Sequence, residues 1–187
     1  MQIVTPRCDS SAYCYLLKAQ PAMEKGKPDQ YSITLMWDED EEGEPNPKLA
    51  KLRNAIEEVA VAKFGKDAPK KLKSGQLSSP LRPGSDKEGT NAEEDFAGKV
   101  FMTLRSTDKP QVVDADLEPI MDSMDVYSGV IGRADIWLYA YDKAGNKGVS
   151  CIINSFQKLD DGERKSGRRP ASAAFGDLED EDADLLG

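Results

Sequence analysis

The 187 residues suffice for one domain with a buried core and appendages. Thirty-four acidic residues face 25 basic ones, and there is no histidine, which removes the commonest general base and metal ligand. Cys8, Cys14 and Cys151 form no CxxC pair, so neither a zinc knuckle nor a disulfide framework is indicated and a reducing compartment fits.

In chain order, residues 12–18 (AYCYLLK) and 31–37 (YSITLMW) are predicted strands, separated by a loop containing Gly26, Lys27 and Pro28. Asp38 to Glu44 is an acidic turn, better suited to solvent than to calcium. Asn46 is predicted to cap a helix with Pro47 at its first position, where the missing N–H costs nothing. Leu49, Leu52, Ile56 and Val59 recur at helical spacing and form one apolar stripe running towards Phe64, with Gly65 as the stop. From Gly65 to about Asp95 the pattern dissolves into Lys, Ser, Gly, Pro and Asp, which predicts a long structureless loop. Strands resume at 99–105 and 111–113, and the two glycines of 126–133 predict a turn feeding a bent strand. The clearest hairpin joins 134–141 (ADIWLYAY) to 148–156 (GVSCIINSF) through 142–147, with Gly145-Asn146 at the centre. Strands outnumber helices, so a small β-barrel or sandwich is the expected class. No basic-then-apolar leader and no apolar run near about 18 residues occurs, so neither secretion nor a membrane span is expected.

The charge is unevenly placed. Residues 177–187 (DLEDEDADLLG) carry Asp177, Glu179, Asp180, Glu181, Asp182 and Asp184, no base, and a Leu185-Leu186 pair. Setting those carboxylates aside leaves 28 acids against 25 bases. Just upstream lie Arg164, Lys165, Arg168 and Arg169, followed by an Ala-Ser linker from Pro170 to Ala174. A second basic run spans Lys63 to Lys87 and includes Lys70, Lys71, Lys73 and Arg82. Local potential of this kind admits a nucleic-acid partner despite the net negative charge. A tethered, self-repelling acidic tail next to a basic patch can imitate a polynucleotide backbone.

Strand residues alternate faces, so Ile136, Leu138 and Ala140 supply a core while Trp137, Tyr139 and Tyr141 form an aromatic row. Such a row stacks bases in an oligonucleotide-binding barrel, or else covers a second hydrophobic layer. Enzyme signals are few. Asp114, Asp116 and Glu118 form a carboxylate series of the sort that holds a divalent metal in a nuclease, with no companion Lys or His motif. There is no GxxxxGK[ST] loop and no GxSxG elbow.

Residues 126–163 resemble the C-terminal half of the tailed-bacteriophage single-stranded DNA-binding proteins. The elements that carry the resemblance are Tyr127-Ser128-Gly129, Tyr139-Ala140-Tyr141, Gly145-Asn146-Lys147-Gly148, Asn154, and Gln157 through Glu163 before a Gly-Arg-rich segment. The Tyr31 strand, the single helix, Pro80-Leu81-Arg82 and Val112-Val113-Asp114 extend it from about residue 12 to the end. The resemblance implies a mainly β, OB-fold-like five-stranded barrel with one inserted α-helix, a long basic loop and a disordered acidic tail. It implies a barrel over 1–160, a basic linker over 161–176 and the tail over 177–187.

It implies further a non-enzymatic protein, with no cofactor or metal, that coats single-stranded DNA without sequence preference during phage replication, recombination and repair in the infected bacterial cytoplasm. Its tail, Leu185 and Leu186 included, competes with DNA and recruits a polymerase, helicase or primase. Expected DNA contacts are Trp137, Tyr139 and Tyr141, with Lys70, Lys71, Lys73, Arg82, Arg105, Arg133, Lys147, Lys158, Arg164, Lys165, Arg168 and Arg169 as phosphate partners. A homodimer is compatible with this reading. Two departures stand out: the tail ends Leu185-Leu186-Gly187 where many such tails end in Phe, and the Lys-rich loop strays from the family pattern. The alternatives are an acidic-tailed protein-interaction module that never touches DNA, and a metal-dependent nuclease using Asp114 and Asp116.

Overall fold

A computed structural model describes residues 1–22, 26–39, 46–89 and 92–165. The long hairpin organises the chain. Strands β7 (Ile131–Lys143) and β8 (Asn146–Asp160) pair antiparallel along nearly their whole length. The turn between them is tighter than the six residues expected. Ala144 and Gly145, not Gly145 and Asn146, are its centre, both at positive φ (49° and 86°), which matches the right-handed twist of the flanking strands.

Six strands lie in the order β1-β7-β8-β5-β3-β2, where β1 is Gln2–Val4, β2 Ser10–Gln20, β3 Gln30–Asp38 and β5 Lys99–Ser106. Two short strands complete an eight-stranded sheet: β4 (Leu81–Pro83) on β5 and β6 (Gln111–Val113) on β8. The mainly β class with one main helix holds; the sheet is not closed, and among the described residues it has eight strands where five were expected. Its two ends are nevertheless drawn together. The Thr5 and Cys8 amides donate to the Ala134 and Gly132 carbonyls (2.8 Å each) and the Ser11 hydroxyl to the Val130 carbonyl (2.6 Å).

The inner face follows from alternation. Ile33, Leu35 and Trp37 on β3, Val100, Met102 and Leu104 on β5, and Ala134, Ile136 and Leu138 on β7 enter one core. Helix α1 (Ala50–Phe64) adds Leu52, Ala55, Ile56 and Ala60 to it. Each large side chain so buried is worth about 1.5–3 kcal/mol. The helix starts as predicted but through a 3-10 turn, Pro47–Leu49. Asn46 Oδ1 accepts from the Lys48 amide (2.9 Å), while its Nδ2 donates to the Asp38 carbonyl (2.7 Å) and ties the helix start to the end of β3.

The expected structureless loop after Gly65 is instead folded. Helix α2 (Ala68–Lys73), β4, a 3-10 turn (Gly84–Lys87) and α3 (Glu93–Phe96) follow one another. Ser78 exchanges backbone bonds with β8, its amide to the Lys147 carbonyl and its carbonyl from the Val149 amide, each 2.9 Å. A few buried anchors hold this stretch, namely Ala68, Leu77, Ala92 and Phe96. Anchors so far apart leave no periodicity to read.

Candidate nucleic-acid interface

The outer face of the sheet carries the rings. Trp137 is 48% exposed and Tyr139 37%, with Tyr141 half-buried beside them. Directly opposed residues of neighbouring strands share a face. Trp137 lies opposite Ile152, Ile152 opposite Arg105, Arg105 opposite Ser32, and Ser32 opposite Tyr15, while Gln2 flanks Trp137 from the other side. One row thus crosses six strands, with exposed rings at Trp137 and Tyr15 and an exposed guanidinium between them. Four inter-strand steps separate those rings, about 19 Å. Arg133 belongs to the same face, its Nε donating to Gln157 Oε1 (2.9 Å). Asp135 stands between Arg133 and Trp137 and accepts from the Gln2 and Asn154 side-chain amides (2.7 and 3.3 Å).

A second cluster lies further along β2, β3 and β5. Phe96 and Phe101 are buried and pack edge to face, centroids 5.0 Å apart. Tyr13, 44% exposed, stacks on Phe96 at 6.3 Å and 22°. Lys87 Nζ sits 5.5 Å from both Phe96 and Phe101, and the Arg82 guanidinium is 5.5 Å from Phe101. Sequence reasoning missed this cluster. Tyr13-Cys14-Tyr15 repeats the spacing of Tyr139-Ala140-Tyr141, the one signal available; Phe96 and Phe101 gave none.

The remaining basic candidates scatter. Lys70, Lys71 and Lys73 ride on α2, which buries Ala68 and lays Leu72 against the core, so they belong to the helical layer behind the sheet. Arg82 is ion-paired with Asp86 (2.7 Å) and Lys147 with Asp142 (3.1 Å). Lys158 is paired with Asp161 (2.8 Å) and lies 5.7 Å from the Tyr127 ring. Arg164 covers that ring at 3.8 Å and donates to the Met124 carbonyl (3.0 Å). The single proton of the Tyr127 hydroxyl is shared between two acceptors, Asp161 Oδ1 (2.9 Å) and the Gly162 carbonyl (3.2 Å). Desolvation, then the Asp161 carboxylate, pushes the Tyr127 phenol up. The Lys158 ammonium, then the Tyr127 hydroxyl, holds the Asp161 carboxyl below the usual range.

Lys165 closes the described chain, its amide on the Ser128 carbonyl (2.8 Å) and its ammonium on Asp95 (2.6 Å), next in sequence to Phe96. Arg168, Arg169, the Pro170–Ala174 linker and the whole tail, Asp177, Glu179, Asp180, Glu181, Asp182, Asp184, Leu185 and Leu186, lie outside the described residues, as does most of the acidic turn after Asp38.

The other candidate chemistries have structural occupations. Asp114 Oδ1 accepts from the Asp116 and Glu118 amides (2.9 Å each), an Asx turn shaping the loop after β6. Burial pushes the Cys8 thiol up to about 11 and those of Cys14 and Cys151 to about 12, so none is a thiolate at neutral pH. No helix among the described residues is long and apolar enough to cross a membrane.

The family model described as the single-stranded DNA-binding protein of Enterobacter phage Enc34 matches residues 1–186. Among solved structures, the Enc34 protein in complex with single-stranded DNA is similar at a TM-score of 0.67 and 20% identity, covering 88% of this chain and 89% of that one. A second structure of the Enc34 single-stranded DNA-binding protein gives 0.63 and 18%, covering 93% and 89%. Bacteriophage T7 gp2.5, a single-stranded DNA-binding protein, gives 0.56 and 11%, covering 90% and 91%. No curated protein matches the chain.

Proposed function

This chain belongs to the family of the phage Enc34 single-stranded DNA-binding protein, and from that premise we propose that it coats single-stranded DNA without sequence preference. The observation that carries the reading is the exposed ring row on the outer sheet face, Trp137 and Tyr139 with Arg105 two strands away. Stacking is sequence-tolerant because every base has a π-face, and it is worth about 1–3 kcal/mol per base. In this reading Trp137, Tyr139 and Tyr141 stack bases, Arg105 and Arg133 neutralise phosphates on the same face, and Lys147, opposite Asp142 at the hairpin end, takes a phosphate from beyond its margin. Lys158, Arg164, Lys165, Arg168 and Arg169 extend the basic track from the 1–160 domain into the linker, while Lys70, Lys71, Lys73 and Arg82 serve DNA that wraps further. The 177–187 tail competes for the same face and recruits a polymerase, helicase or primase during phage replication, recombination and repair in the host cytoplasm.

The test uses a labelled oligo(dT) titrated with the full chain at low and high salt, reading anisotropy and tryptophan emission together. Salt-sensitive binding with quenching is expected, with a log–log slope of about −0.7 per neutralised phosphate. Absence of binding at low salt overturns the reading. A second reading, a protein-interaction module, is favoured by one feature: the loop between β6 and β7 exposes Leu117, Met121 and Met124 among acidic residues. Salt-insensitive or absent oligonucleotide binding moves it to first place.

A further inference from the structure

Tyr13 is a surface ring whose support is already built. It sits at a break in the β2–β3 register, between Ala12 and Tyr15, with φ at 50°. A non-glycine residue there is strained, and such strain persists only where its surroundings impose it. The distortion turns the ring onto buried Phe96, itself braced by Phe101, and leaves nearly half of Tyr13 open. The Lys87 ammonium lies 5.9 Å from the Tyr13 centroid. An exposed ring on a rigid aromatic base, with an ammonium over the same aromatic cluster, has the chemistry to take a nucleobase on the ring and a phosphate at the ammonium.

We propose that Tyr13 is a second base-stacking platform, and that a single strand held at Trp137 crosses β8, β5 and β3 to reach it. The proposal rests on the single-stranded DNA reading above and adds a direction to it: the nucleic acid runs across the strands, along the Trp137–Ile152–Arg105–Ser32 row, and not along β7. The row covers about 19 Å from Trp137 to Tyr15, and Tyr13 lies two residues before Tyr15 on β2, so both platforms are engaged only by oligonucleotides of sufficient length.

The experiment compares the full chain with Tyr13→Leu, which keeps an apolar contact for Phe96 but offers no ring, and with Lys87→Gln. Oligo(dT) lengths run from two nucleotides upward. With long oligonucleotides Tyr13→Leu is expected to bind about tenfold more weakly, with the Trp137 quench at saturation and the melting temperature unchanged. With the shortest, it is expected to equal the unsubstituted chain. Lys87→Gln is expected to flatten the salt slope by about 0.7. Equal affinity of Tyr13→Leu at every length, while the unsubstituted chain binds, overturns the platform and leaves the DNA reading standing. A penalty equal at every length overturns the crossing path. Failure of the unsubstituted chain to bind removes the DNA reading and this proposal with it.

Discussion

Two tryptophans show how much a single residue's position decides. Trp37 is fully buried on the inner face of β3, its Nε1 donating to the Arg7 carbonyl (3.0 Å), whereas Trp137 stands half open on the outer face of β7. The Trp137 placement was legible from alternation along β7, and in the structure Trp37 follows the same rule with Ile33 and Leu35 on the inner side of β3. Tyr13 was not legible, because a register break disrupts the alternation around it. The two indoles therefore separate stability from binding. Trp37→Phe leaves the Arg7 carbonyl without its donor and is expected to cost about 1–3 kcal/mol in denaturant unfolding, with oligonucleotide quenching intact. Trp137→Phe is expected to change stability by less than about 0.5 kcal/mol and to abolish the quench, since Trp37 has no access to a base. Persistent quenching in Trp137→Phe places the DNA elsewhere.

At the level of elements, legibility tracked length and regularity. The capped helix and the long hairpin strands were readable because many residues repeat one instruction. The Gly65–Asp95 stretch was not, because a few separated anchors and two backbone bonds from Ser78 to β8 hold it. That docking depends on a missing side chain: a Cβ on Gly148 would stand 2.3 Å from the Ser78 carbonyl oxygen and 2.8 Å from its Cβ. Gly148→Ala is therefore expected to push Ser78 off β8 and cost about 1–3 kcal/mol by overpacking. Hydrogen exchange of the Ser78 and Val149 amides checks it, and both are expected to lose protection while Phe156, flanked by β6 and β7 further along β8, keeps it. Unchanged protection would mean that Ser78 stays bonded to β8 and that the close approach at Gly148 does not decide its docking.

Over the whole molecule, the net charge of −9 is misleading because its largest acidic block lies in the last eleven residues. The sequence made that separation plain, but not where the basic segment begins. Arg164 and Lys165 are fastened on Tyr127 and Asp95, so the chain leaves the body beside Phe96 and the Tyr13 ring, at the edge of the outer face. Residues 166 to 187 follow, and a chain of that length reaches roughly 70 Å when drawn out, several times the span of the ring row. In the proposed competition, a polyanion tethered to that edge through residues 166–176 would act at an effective concentration on the order of millimolar. Truncation after Gly176 is accordingly expected to tighten oligo(dT) binding several-fold at low salt. The gain should shrink as salt rises and the screening length falls to about 8 Å near physiological ionic strength. Anisotropy titrations of the two chains at two salt concentrations measure it. Equal or weaker binding by the truncated chain at low salt would free the tail from any competition with DNA and leave partner recruitment as its remaining role.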